Sequence, residues 1–230
     1  MNIVNMVTSF ATPMVANKIA SALGLPEADT RKVLTATMPL LLAMLLKRGT
    51  APGGTQALGA AMAGLGPNPL PAFGKLFQGD PSKPALTAAA QGGTDIVATL
   101  FGTAPAATAA AKLSAYGGIE PTAASALLGL GGTAVLAGLR QAADDHKLDA
   151  GALVAELGRE RADIAKALPA DIAQEVEGTG LVDDTLFTAA PAGAAAPVAA
   201  GGSSTPWLVA LIVVVAAGIG AYVYLAPERT

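Results

Sequence analysis

The sequence predicts an all-α protein: two pseudo-repeated helical units forming one compact domain, followed by a C-terminal single transmembrane helix. Three observations carry this. No segment shows sustained period-two alternation of β-branched residues, whereas apolar residues return at three- and four-residue steps. A stretch of the first half is echoed in the second at an offset of 94 residues. The 19 residues 207–225, WLVALIVVVAAGIGAYVYL, carry no charge and as a helix span about 28 Å, close to the hydrocarbon core of a bilayer.

In chain order, Ile3, Val7, Phe10 and Met14 recur at steps of four, three and four, the spacing of an amphipathic helix with a core-facing stripe. A helix lying on a membrane would want a cationic polar face, and the first basic residue is Lys18. After Gly24, Leu25 and Pro26 a second helix starts, with Glu27 and Asp29 complementing its N-terminal dipole and Lys47 and Arg48 suiting its other end. Its middle, ATMPLLLAMLL, is almost wholly apolar, and Pro39 predicts a kink. The apolar stretch 33–46 is 14 residues long, short for a membrane span, and reads as a buried central helix. Residues 49–84 are punctuated by Gly and Pro and predict short helices joined by turns. A further helix is expected over 94–101, ending at Gly102.

The second half repeats the first. KIASALGL from Lys18 aligns with KLSAYGGI from Lys112, setting Gly24 opposite Gly118 at the offset of 94. Carried forward, that offset pairs Val33 and Leu34 with Leu127 and Leu128, and Leu41 and Leu42 with Val135 and Leu136. It also sets Met38 and Pro39 opposite Gly132 and Thr133. The organisation expected is a first helical unit over 1–104, a second over 105–187, an Ala/Pro/Gly linker over 188–206, the transmembrane helix over 207–225 and a short tail over 226–230. In the second unit, Leu153, Leu157, Ile164 and Leu168 point inward and the charges outward. As a coil the 19-residue linker would separate domain and bilayer by roughly 25 Å.

Composition narrows function by exclusion. Hydrophobic residues are 52% of the chain but aromatics 4% and charges 13%, so the core is built from small side chains. The absence of cysteine removes thiolate chemistry and Cys-based zinc sites. The net charge of −3 hides an asymmetry: residues 1–115 carry eight basic and four acidic side chains, and residues 116–206 five basic and twelve acidic. The basic residues are scattered without interleaved aromatics, so no nucleic-acid partner is expected.

The succession from Ile19 to Leu25, then Val33 and Leu34, then Met38, Pro39, Leu40, Leu41, Leu42, Ala43 and Leu46, resembles the bacterial proteins grouped as domain of unknown function 937, related to the YidB-like group. GGTDIV from Gly92 followed by Leu100, Phe101 and Gly102 is similar to the glycine-bounded segment between repeats in that family. The resemblance covers most of residues 1–187 and implies an all-α bacterial protein with no catalytic residues to carry over. Gly132 and Thr133 stand where the second copy would be expected to carry its proline.

Reactive constellations are few. His146, the one histidine, lies in DDHKLD at 144–149, a carboxylate-rich helix end that matches neither the spacing of an EF-hand loop nor that of an HExxH zinc site. Gly129, Gly131 and Gly132, like Gly64 and Gly66, follow no strand and complete no phosphate-loop pattern; close helix packing or a turn explains them. Asp183 and Asp184 read as surface acids. No catalytic, metal or cofactor-binding residue is expected, and no cofactor.

The leading expectation is therefore a membrane-anchored, non-enzymatic scaffold or interaction protein whose helical domain self-associates. Halves of opposite charge could meet head to tail, a contact that propagates into a ring or filament. Its partners would be the lipid bilayer and copies of itself. Trp207, Tyr222 and Tyr224 border the anchor as interfacial aromatics do. Within it, Ala216 and Gly220, and Ala217 and Ala221, are small residues four apart, a spacing that lets membrane helices approach closely and is also common in ordinary spans. The opening stretch lacks the positive region of a secretory signal, so the expected location is the bacterial cytoplasmic membrane, single-pass, with the helical domain on the cytoplasmic side. The alternative is a tethered module binding a lipid or small apolar ligand in a crevice between the repeats near Met38, Leu42, Leu128 and Leu136.

Overall fold

The chain opens with two short helices rather than one, and Thr12 and Pro13 are the reason. In the computed structural model, which describes residues 3–8, 12–66, 69–77 and 82–187, α1 (Ile3–Thr8) is followed by α2 (Pro13–Leu23). The Thr12 hydroxyl accepts from the Val15 N–H, and Pro13 fits a first helical position whose N–H has no partner within the helix. The new start resets the helical phase. Ile3 and Val7 are buried, whereas Met14 is 64% exposed, so the stripe expected through Met14 does not hold together; Phe10 lies outside the described residues.

α2 ends at Gly24 in the left-handed conformation (φ 71°), where the N–H groups of Gly24 and Leu25 both donate to the Ala20 carbonyl. α7 (Thr103–Gly117) ends in the same way: Gly118 has φ 64°, and its N–H and that of Ile119 donate to the Ser114 carbonyl. The three residues of one cap lie at the offset of 94 from those of the other.

Each cap leads into a long apolar helix, α3 (Glu27–Thr50) and α8 (Pro121–His146). α3 has the acidic start and basic end expected of it and continues through Pro39. That proline deprives the Thr35 carbonyl of its helical donor, and Thr35 is exposed to water. Among the described residues α3 and α8 are the two helices long and apolar enough to cross a membrane, yet 72% of each apolar window is buried inside the fold. They meet at Gly131, where an added Cβ would lie 2.6 Å from Thr37 Cγ2. Leu34 and Met38 border one small cavity with Leu130, and Leu41 and Leu45 border another with Leu136, so the two central helices run in the same direction.

Between them come the short helices α4 (Gly54–Gly64) and α5 (Pro69–Lys75), then α6 (Lys83–Phe101), which starts well before the expected 94. Ser82 caps α6 by accepting from the Ala85 N–H. The Gly92 and Gly93 pair, which resembles an inter-repeat boundary, instead lies within α6; Gly92 is exposed, and Gly93 is the one that backbone contact with α8 requires. A Cβ on Gly93 would sit 2.0 Å from the Gly129 carbonyl oxygen, and one on Gly129 would sit 2.2 Å from that of Ala90. Gly93 meets Gly129 and Val97 meets Gly132, so α6 and α8 run in parallel and α7 returns between them.

After α8 come α9 (Ala150–Arg159), α10 (Arg161–Ala167), α11 (Ala170–Val176) and a 3-10 turn at Asp184–Leu186. Leu153, Leu157, Ile164 and Leu168 are buried as their spacing predicts. The outward placement of every charge is not observed: Glu160, 6% exposed, turns inward and accepts from the N–H groups of Ile3 and Val4 at 2.8 and 2.9 Å. All regular structure among the described residues is helical. The described helices all fall in one compact unit, Met1–Ala189. The expected linker and anchor, with Trp207, Tyr222, Tyr224, Ala216, Ala217, Gly220 and Ala221, lie outside the described residues.

Candidate functional site

The apolar crevice expected between the repeats is occupied by its own side chains. Met38, Leu42, Leu128 and Leu136 are at most 3% exposed. Free space beside Met38 amounts to about 10 Å3, and beside Leu136 to about 10 Å3. A volume of that size is at the lower limit for one water, and an acyl chain would require the helices to part. All four residues belong to the core.

The polar residues singled out by the sequence are occupied by backbone or by near neighbours. His146 is the exposed last residue of α8, and the carboxylates around it point to separate tasks. Asp144 pairs with Arg140 at 3.0 Å, Asp145 accepts from the Gln141 amide, and Asp149 caps α9 by accepting from the Ala152 N–H at 2.7 Å. No group of three or more His, Cys, Asp or Glu placed to hold a metal ion occurs among the described residues. Asp183 accepts from both the N–H and the hydroxyl of Thr185 and lies 3.4 Å from Arg161. The Thr185 hydrogen bonds hold the Asp183 carboxyl below the usual aspartate range, with Arg161 adding to the effect. Asp184 accepts from the Gly178 N–H.

Four of the eight cations in residues 1–115 share a use that composition did not disclose. Lys32 donates to the Tyr116 carbonyl at 2.6 Å and lies 4.4 Å from that ring's centroid. Arg48 donates to the Leu100 carbonyl, Lys18 to that of Phe77 and Lys47 to those of Gly180 and Val182. Arg140, from the second half, donates to the Met62 carbonyl near the end of α4. Several of these carbonyls belong to the last turn of a helix, where the backbone has acceptors to spare and the dipole favours a cation. The acidic counterpart is Glu160 at the start of α1.

A more open site lies where the end of α2, the first half of α6 and the first turns of α8 come together: a half-open groove of about 340 Å3. Thr87, Gln91 and Asp95 follow one another at four-residue steps along one face of α6, and Thr122 and Ser125 stand opposite on α8. Leu23, Ala90 and Ala126 supply its apolar surface. Thr94 fixes the spacing at this point, its hydroxyl lying 2.9 Å from the Ala90 carbonyl and 3.3 Å from that of Ser125. A partial signal is present in the polar stripe 87, 91, 95; the α8 residues that complete the groove come from another element and could be joined to it only by the fold.

A family model described as "Bacterial protein of unknown function (DUF937)" matches residues 5–142. No curated protein and no solved structure matches the chain.

Proposed function

This chain belongs to the bacterial family of unknown function DUF937, and from that premise we propose that it works as a non-enzymatic helical scaffold, tethered to a membrane through 207–225 and self-associating through its helical unit. The observation that carries the reading is the use made of charged side chains. Lys18, Lys32, Arg48 and Arg140 lie on backbone carbonyls and Glu160 on backbone N–H groups, all at long sequence separation. Such bonds brace helices against one another, which serves a rigid body that presents surfaces. The 1–104 and 105–187 units of this reading are two copies of one motif, and the paired glycine caps at 24 and 118 support that division.

Self-association is supported by the opposite charge of the two halves. Part of that asymmetry is neutralised within one chain, where Lys112 pairs with Glu175 at 2.8 Å. The contact between copies is therefore weak and salt-sensitive in this reading. Concentration-dependent light scattering of the detergent-solubilised chain tests it. Growth of the particle at low salt that reverses with added salt supports the scaffold; one protomer per micelle at tens of micromolar under both conditions removes it.

A further inference from the structure

The groove beside Asp95 lies at a place where the two halves differ, Leu23 standing for Gly117 and Leu127 for Val33. On one side of the molecule α7 closes onto α3: an added Cβ at Gly117 would lie 2.2 Å from Val33 Cγ2. The residue 94 positions before Gly117 is Leu23, and the residue 94 after Val33 is Leu127. Where glycine lets the backbone close, leucine adds a side chain that holds the end of α2 away from α8. The space left is the groove of about 340 Å3, with Leu23 on its wall.

Its lining has a definite chemical character. Asp95 is the one acidic side chain lining it, and no Lys, Arg or His is present there. Gln91 and the hydroxyls of Thr122 and Ser125 add hydrogen-bond acceptors, and Ala90, Ala126 and Leu23 add an apolar surface. An anion would meet an uncompensated carboxylate here, and a purely apolar ligand would strip water from it without replacing the hydrogen bonds. A ligand with a cationic donor at one end and a short alkyl stem satisfies both parts of the surface.

We propose that the groove binds a primary alkylammonium group, with the ammonium on Asp95 and Gln91 and the stem lying over Leu23, Ala90 and Ala126. The group can belong to a free amine or to the lysine side chain of a partner protein; the chemistry is shared. This goes beyond the scaffold reading and does not depend on self-association.

The test is titration of the full chain in neutral detergent, followed by NMR at the Gln91 side-chain amide and the Thr122 and Ser125 amides. The probes are n-butylammonium, the neutral n-butanol, the anion butyrate and a capped Ala-Lys-Ala peptide. Asp95 is exposed and has no hydrogen-bond or ionic partner recorded among the described residues, so Asp95→Asn is expected to fold as the parent does. Saturable shifts with butylammonium, weakened roughly tenfold in Asp95→Asn and absent with butyrate, support the proposal. Shifts with the peptide as well identify a protein lysine as a competent source; shifts with butylammonium alone restrict the site to free amines. Leu23→Trp, which fills the groove and leaves Asp95 in place, should also abolish binding. Equal shifts with butanol and butylammonium, no saturation, or unchanged affinity in Asp95→Asn overturns it.

Discussion

Gly129 and Gly118 are the same residue in the same half of the chain, held for different reasons. At Gly129 the constraint is space: a methyl group would lie 2.2 Å from the Ala90 carbonyl oxygen, which is backbone and cannot rotate away. Gly129→Ala must therefore push α6 from α8, and a loss of about 3 kcal/mol or more in unfolding free energy is expected in urea denaturation. At Gly118 nothing lies within 4 Å of an added Cβ, and only the left-handed backbone (φ 64°) resists substitution. Gly118→Ala is expected to cost about 1 kcal/mol. Equal effects of the two would show that the close approach of α6 and α8 is misread. Glu160 poses a third residue-scale case. Truncation to Ala leaves the Ile3 and Val4 N–H groups buried without acceptors, at a cost of about 1–3 kcal/mol. Amide exchange should show α1 opening first. No sequence pattern announces this contact, because its partners are 157 and 156 residues apart. The local spacing around Glu160 reads as a solvated helix face.

At the scale of elements, legibility followed the presence of local end signals. α3 was readable because Glu27, Asp29, Lys47 and Arg48 mark its ends and apolar residues fill its middle. α6 was readable only at its C-terminal end, since Gly92 and Gly93 look like a break, whereas the helix runs through both and Gly93 is where α8 lies against it. The groove was half visible, as the stripe Thr87, Gln91 and Asp95, and its far wall on α8 was not. Two element ends give predictions. Asp149→Ala removes the side-chain acceptor for the Ala152 N–H and should cost about 1 kcal/mol, measurable as a lower denaturation midpoint. The 3-10 turn at Asp184–Leu186 is held by Asp183, whose folded pKa is depressed by the Thr185 hydrogen bonds. A depressed carboxyl stabilises the fold above its unfolded pKa, near 3.9, and that contribution is lost as pH falls through the lower folded value. The protection factor of the Thr185 amide, its exchange rate taken relative to the unstructured chain at the same pH, should fall over that acidic window and be flat above it; Asp183→Asn should remove the transition.

For the whole molecule, the offset of 94 organises more than sequence similarity. It relates the caps at Gly24 and Gly118, and it relates Thr37 to Gly131, the residues in contact where the two central helices cross. Equivalent residues meeting at a crossing of parallel helices is what a local two-fold axis produces. The reading of the chain as a tethered scaffold joins this helical unit to the uncharged run 207–225, and it assigns membrane attachment to that run rather than to α3 and α8, whose apolar faces are already covered by the fold. Liposome flotation with a carbonate wash tests the assignment most directly, comparing the full chain with one ending at residue 187. The account predicts that the full chain floats and resists the wash, while the shorter chain stays in the soluble fraction with its helical circular dichroism intact. Flotation of both, or of neither, would contradict it.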